Sequence, residues 1–152
     1  MAGSILELLK RDHVRALELM KEIESAKSVE EGSLAFDRLS KLLTAHTAAE
    51  VDIFYPAIQT EENELQVEQA YDVHDGVAEM LDTMQQMNFE STEFKAMLHQ
   101  LRDAFVAHSQ EEEDQMFATA RQIFSEEELI ALGAESQMVK DDEMDAVSTE
   151  QY

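Results

Sequence analysis

The strongest constraint on the fold of this chain is a set of four histidines, His13, His46, His74 and His108, each on the apolar stripe of a different helical segment. His13 falls in line with Leu6, Leu9, Leu17, Met20 and Ile23, and His46 with Leu39, Leu42, Ala49, Ile53 and Ala57. His74 shares a stripe with Val67, Ala70, Val77, Leu81 and Met84, and His108 with Leu98, Leu101, Phe105 and Met116. Faces of that kind are headed for a core, where an imidazole is costly unless something satisfies it. Two of the four are followed one helical turn later by a glutamate, as His46/Glu50 and His108/Glu112. The spacing from His13 to His46 is 33 residues and from His74 to His108 it is 34. Each half of the chain thus supplies a lone histidine, a hairpin, and then His-x-x-x-Glu. Two such halves packed antiparallel place four histidines and two glutamates around one point.

The rest of the sequence agrees with a helical chain. One proline and four glycines in 152 residues leave little turn chemistry for a β protein, and helix formers dominate. Ser4 with Glu7 and Ser125 with Glu128 are capping-box patterns. SVEEGS (28–33), TEENE (60–64) and NFEST (88–92) read as breaks, with the second helix running from about Leu34 to Pro56 or slightly beyond. Pro56 cannot donate to the carbonyl of Asp52 and should kink or end that helix. The expected fold is all-α: an antiparallel up-down-up-down four-helix bundle over residues 1–140, with a short fifth helix at its end. Residues 141–152 read as an acidic flexible tail.

Composition narrows the chemistry. Without cysteine, thiolate catalysis, disulfides and iron–sulfur clusters are excluded, so any metal must use imidazole and carboxylate. A formal charge of −23 disfavours phosphate backbones and anionic lipid, so neither nucleic acid nor membrane is expected as a partner. No apolar run reaches the length of a span, and MAGSILELLKRDH lacks signal-peptide architecture, which makes a cytoplasmic location the expectation. Imidazole and carboxylate suit iron, manganese and zinc. On a pair of octahedral metals, four histidines, two bridging glutamates and an oxo or hydroxo bridge leave about two positions open or one filled by a further side chain. An open position admits dioxygen, peroxide or nitric oxide. The Glu-x-x-His of ferritin-like bundles and the His-Glu-x-x-His of zinc proteases are both absent.

The pattern RDH (11–13), HTAAE (46–50), YDVH (71–74) and HSQEE (108–112), with FYP at 54–56 and FSEEELIALGAESQMVK at 124–140, resembles the hemerythrin-like (HHE cation-binding) family. The resemblance covers roughly residues 4–140. It implies a four-helix bundle around a non-heme di-iron centre, with His13 and His46 on one iron, His74 and His108 on the other, and Glu50 and Glu112 bridging. Oxygen-carrying hemerythrins have a second histidine on the third helix, one turn from the first, where this chain has Ala70 and Ala78. They also carry a longer His-x-x-x-x-Asp in the fourth helix. The departure points away from reversible oxygen carriage. It favours catalase-like or related redox turnover at the more open iron, with oxygen or iron sensing, or storage, as the non-catalytic alternative; a protein partner for the acidic surface is compatible with either.

Other residues carry secondary expectations. Tyr71, about one turn before His74, is a candidate to replace the missing ligand or to donate a hydrogen bond. Tyr55 and Phe117, each nine residues past a histidine, come half a turn round on a regular helix and are expected to face away from the site. His99, Asp52, Asp114 and Glu113 are expected at the surface, with Glu111 a weak candidate to support a ligand.

Overall fold

A computed structural model describes the backbone of residues 3–150 and the side chains of residues 3–145. Helix α1 spans Ile5–Glu24 and α2 spans Val29–Ala49, continuing through a π-helical turn, π1 (Glu50–Phe54), into α3 (Tyr55–Ile58). Then come α4 (Glu64–Gln85), α5 (Thr92–Glu111), a second π-helical turn, π2 (Glu112–Met116), α6 (Phe117–Ile123) and α7 (Glu126–Glu150). These elements form the expected bundle, with α7 laid against α1 and α2. No strand occurs among the described residues, and no helix there is long and apolar enough to cross a membrane.

Serines start four of the helices. The Ser4 hydroxyl accepts from Glu7 N–H, Ser28 from Glu31, Ser91 from Phe94 and Ser125 from Glu128, which reaches back to Ser125 N–H. Each cap satisfies an otherwise orphaned donor, worth about 1 kcal/mol. Ser28 corrects one boundary: SVEEGS is the cap and first turn of α2, not a break ahead of Leu34. Gly32 is tolerated in that turn because Phe89 lies on it; an added Cβ would come 1.8 Å from the Phe89 ring.

The fifth helix runs beyond the expected boundary at residue 140. Residues 141–150, expected as tail, continue it, with Gln137 donating to Asp141 one turn on. Gln151 and Tyr152 lie outside the described residues.

The core has two apolar clusters. One contains Leu19, Leu39, Leu81, Leu98, Leu101 and Phe105 toward one end of the bundle. The other contains Ile5, Leu9, Phe54, Tyr55, Phe117 and Leu129 toward the other. In α1 the order is Leu9, His13, Ala16, so the histidine falls between the clusters. Each remaining histidine does the same in its own helix, and a polar layer crosses an otherwise apolar interior.

Candidate metal centre

His13, His46, Glu50, His74, His108 and Glu112 are all buried in this layer. Two groups of ligand atoms converge. Those of His13, His46, Glu50 and Glu112 lie within 4.8 Å of one another, as do those of Glu50, His74 and His108. The rings pair accordingly, His13 with His46 at 5.0 Å and His74 with His108 at 5.1 Å between centroids. Glu50 Oε1 lies 3.1 Å from His46 Nε2 and 2.7 Å from His74 Nε2. Glu112 Oε1 lies 3.1 Å from His13 Nε2, and its Oε2 lies 3.4 Å from His108 Nε2. Each carboxylate therefore touches one histidine of each pair.

His13 Nε2, His46 Nε2, Glu50 Oε2 and Glu112 Oε1 are buried without a hydrogen-bond partner, although the first and last are only 3.1 Å apart. Leaving such atoms unsatisfied costs about 1–3 kcal/mol each. A divalent cation would satisfy them, and the imidazole–carboxylate donor set fits iron or another borderline metal.

The groups outside this layer fix the rings. His46 Nδ1 is 2.8 Å from Asp12 Oδ2, and Asp12 Oδ1 accepts from Lys140 Nζ at 2.6 Å. His13 Nδ1 is 3.0 Å from Glu113 Oε2, and His74 Nδ1 is 3.1 Å from the Thr47 hydroxyl. Holding Nδ1 in this way turns Nε2 toward the centre. Asp52, Asp114, Glu111 and His99 are exposed, as expected for Asp52, Asp114 and His99. Glu113, expected in solvent, is half-buried and holds His13 instead.

Tyr55 overturns a second expectation. Its Oη donates to Glu112 Oε2 at 2.8 Å and lies 3.1 Å from Glu50 Oε1, 2.8 Å from His74 Nε2 and 3.3 Å from His108 Nε2. The cause is π1. There Tyr55 N–H bonds to the Glu50 carbonyl five residues back, so Tyr55 stacks over Glu50 instead of half a turn away. Pro56, which cannot supply a hydrogen bond to Asp52, favours that insertion in the first copy. π2 repeats it without a proline: Phe117 N–H bonds to the Glu112 carbonyl, and the Phe117 ring stacks on His13 at 6.3 Å. Phe117 too was expected to face away. Tyr71 packs edge-on behind Tyr55, with ring centroids at 5.4 Å.

In the metal-free protein the electrostatics are tightly coupled. Burial opposes a charge on His46, but Glu50 and the Asp12 hydrogen bond outweigh it and raise its pKa to about 10. Burial likewise opposes charge on His108, and Glu112 overcomes it, holding the pKa above its ordinary value. Glu50, despite burial, is held well below the usual carboxylate range by His46. Burial, Glu50 and Glu112 together push the Tyr55 phenol far above its ordinary range.

The two sides differ in access. His13 and His46 are 2% and 1% exposed, and His74 and His108 are 8% and 9% exposed. A crevice of about 30 Å³ lined by Gln66, Ala70, Val73 and Met116 reaches His108 and Glu112. A wider cleft of about 170 Å³, lined by Thr47, Val77 and Ala78, reaches His74. The two alanines that replace a histidine thus flank the open side.

Four histidines and two shared carboxylates buried across a helical bundle define a metal-binding four-helix protein. Residues 4–120 match the hemerythrin HHE cation binding domain, and the chain belongs to that family. Its fold is similar to the crystal structure of a hemerythrin HHE cation binding domain-containing protein, an Rv2633c homolog from Mycobacterium kansasii. That likeness has a TM-score of 0.83 at 23% identity and covers 97% of this chain and 91% of the other. The chain is also 26% identical over 125 residues to a DNA nickase of Nostoc sp. (strain PCC 7120 / SAG 25.82 / UTEX 2576). The alignment covers 82% of this chain but 36% of the nickase, so the chain spans about a third of that relative's length.

Proposed function

We propose that this protein is a non-heme di-iron protein that binds dioxygen, hydrogen peroxide or nitric oxide on its His74/His108 side and turns over peroxide in a catalase-like reaction. The observation that carries the reading is the sharing of Glu50 and Glu112 between two histidine pairs, with unpartnered donor atoms aimed between them. His13 and His46 would hold one iron and His74 and His108 the other, with Glu50 and Glu112 available to both; the imidazole and carboxylate donors suit iron. Tyr55 Oη, in contact with Glu50, Glu112, His74 and His108, would offer a further oxygen donor on the same side. A cation that neutralises Glu50 and Glu112 removes two of the three causes that keep its phenol protonated.

When bound, two irons would store the two electrons released as one peroxide is oxidised to dioxygen and two protons, and would pass them, with two protons, to a second peroxide that is reduced to two waters. The residues of the chain do the rest. Thr47 holds the His74 ring on the accessible side, while Val73 and Met116 line an entry that admits only small solutes. A water needs about 10–15 Å³ of such space, so a crevice of about 30 Å³ is scaled to peroxide or a diatomic gas. The net charge of −23 argues against contact with nucleic acid, and the nickase similarity is confined to about a third of that protein.

The test is oxygen evolution by the iron-loaded protein on adding peroxide. Turnover lost in His74→Ala supports an enzyme. Reversible oxygen binding without turnover supports the non-catalytic alternative of sensing or storage, for which the same ligands serve.

A further inference from the structure

α7 lies beyond the residues matched to the family, yet it reaches the cluster through one buried polar chain. Its first half is anchored by packing: Leu129 is buried against the lower apolar cluster, and Gly133 passes so close to α1 that an added Cβ would lie 2.5 Å from the Gly3 carbonyl. Its second half is anchored by charge. Lys140 Nζ lies 2.6 Å from Asp12 Oδ1, and Asp12 Oδ2 lies 2.8 Å from His46 Nδ1. Asp12 is 6% exposed and the Lys140 side chain 13% exposed, so this pair is shielded from solvent.

We propose that Lys140 is a positioning residue that acts through Asp12 to fix the His46 ring, so that docking of α7 and metal binding at this site are linked. Asp12 accepts the His46 Nδ1 proton, which leaves Nε2 free to face the site, where it has no hydrogen-bond partner. A buried carboxylate keeps that role only while its charge is compensated, and Lys140 is its cationic partner outside the cluster. Losing Lys140 leaves Asp12 free to rotate outward, which removes the acceptor that orients His46. By reciprocity, a metal that needs His46 in one orientation strengthens the hold on α7. A parallel chain, Lys10 to Glu113 to His13, lacks this leverage: Lys10 is 4.0 Å from Glu113 and its side chain is 66% exposed, where an ion pair contributes little.

The metal readout rests on the di-iron reading; a second readout does not. From iron-loaded protein, Lys140→Met is expected to release iron to a chelator about tenfold faster, the low end of the effect of losing a group that supports a ligand. Lys140→Arg restores most of the loss, Lys10→Met releases at the wild-type rate, and Lys140→Met adds nothing to Asp12→Asn. In metal-free protein, the exchange-protected His46 Nδ1 proton seen by NMR is expected to vanish in Lys140→Met and persist in Lys140→Arg. Wild-type release rates in Lys140→Met, or additive effects with Asp12→Asn, overturn the proposal. If the wild-type protein takes up no metal, the di-iron reading fails by itself, and the His46 proton decides: its survival in Lys140→Met overturns the positioning role.

Discussion

Replacing Glu50 by glutamine keeps the shape of the side chain and removes its charge, which isolates what the carboxylate does. Glu50 is fully buried, 3.1 Å from His46 Nε2 and 2.7 Å from His74 Nε2. Two effects compete in the metal-free protein. Removing a buried anion relieves its desolvation and stabilises the variant, and loss of the anion that holds His46 protonated destabilises it. The second should win, because the pull of His46 already outweighs that desolvation and holds Glu50 well below the usual carboxylate range. Breaking one partner out of a buried pair costs about 3–5 kcal/mol. For a domain of this size that lowers Tm by about 6–20 °C at about 2–4 °C per kcal/mol. Differential scanning calorimetry on metal-free and iron-loaded protein measures it, with iron content determined on the same samples. In Glu50→Gln both Tm and iron content should fall, and iron should no longer restore the wild-type Tm. A variant that keeps its iron and melts at or above the wild-type temperature would falsify the placement of Glu50 at the centre of the site.

Further outcomes follow from the same geometry. Tyr55→Phe removes a buried hydroxyl in contact with both glutamates; it should abolish a visible phenolate-to-iron absorption of the loaded protein, and an unchanged spectrum would remove Tyr55 from the ligand set. Because the His46 pKa is raised from 6.5 to about 10, its contribution to metal-free stability is fully present below about pH 6.5 and is lost as pH rises toward 10. The Glu50 pKa is lowered, so its contribution is present above about 4.5 and is lost as pH falls through the lowered value. Metal-free Tm should therefore peak between these limits, and metal uptake near neutral pH should release protons, seen as a buffer-dependent heat in calorimetry. Gly32→Ala gains about 1 kcal/mol of helix propensity but displaces Phe89 from its seat. Overpacking costs about 1–3 kcal/mol, so a net loss of up to about 2 kcal/mol is expected, and a raised Tm would show that the ring moves freely.

The stripe of histidines was readable because the helices obey one period up to Glu50 and Glu112. Four inward histidines at matched spacing, two of them with a glutamate one turn on, already located the polar layer between two apolar clusters. Reading failed where the period changed. Each π turn adds one residue to a helical turn, so Tyr55 and Phe117 rotated from the outside to the site. The signal was present: both copies carry an aromatic nine residues past the histidine, as Tyr55 and Phe117. Asp12, Glu113, Thr47 and Lys140 were unreadable for another reason. Their partners lie 27 to 128 residues away, and nothing in local spacing shows which polar group will meet which ring. SVEEGS misled because Gly32 looks like a breaker, whereas here it makes room for Phe89.

Iron quantitation combined with the absorption spectrum, before and after peroxide, tests the central claim most directly. Purified protein should carry about two irons per chain, on the count of shared and terminal ligands, and its spectrum should change on adding peroxide. Metal content near zero after iron reconstitution, or a single zinc with a silent spectrum, would contradict a di-iron centre built from His13, His46, Glu50, His74, His108 and Glu112.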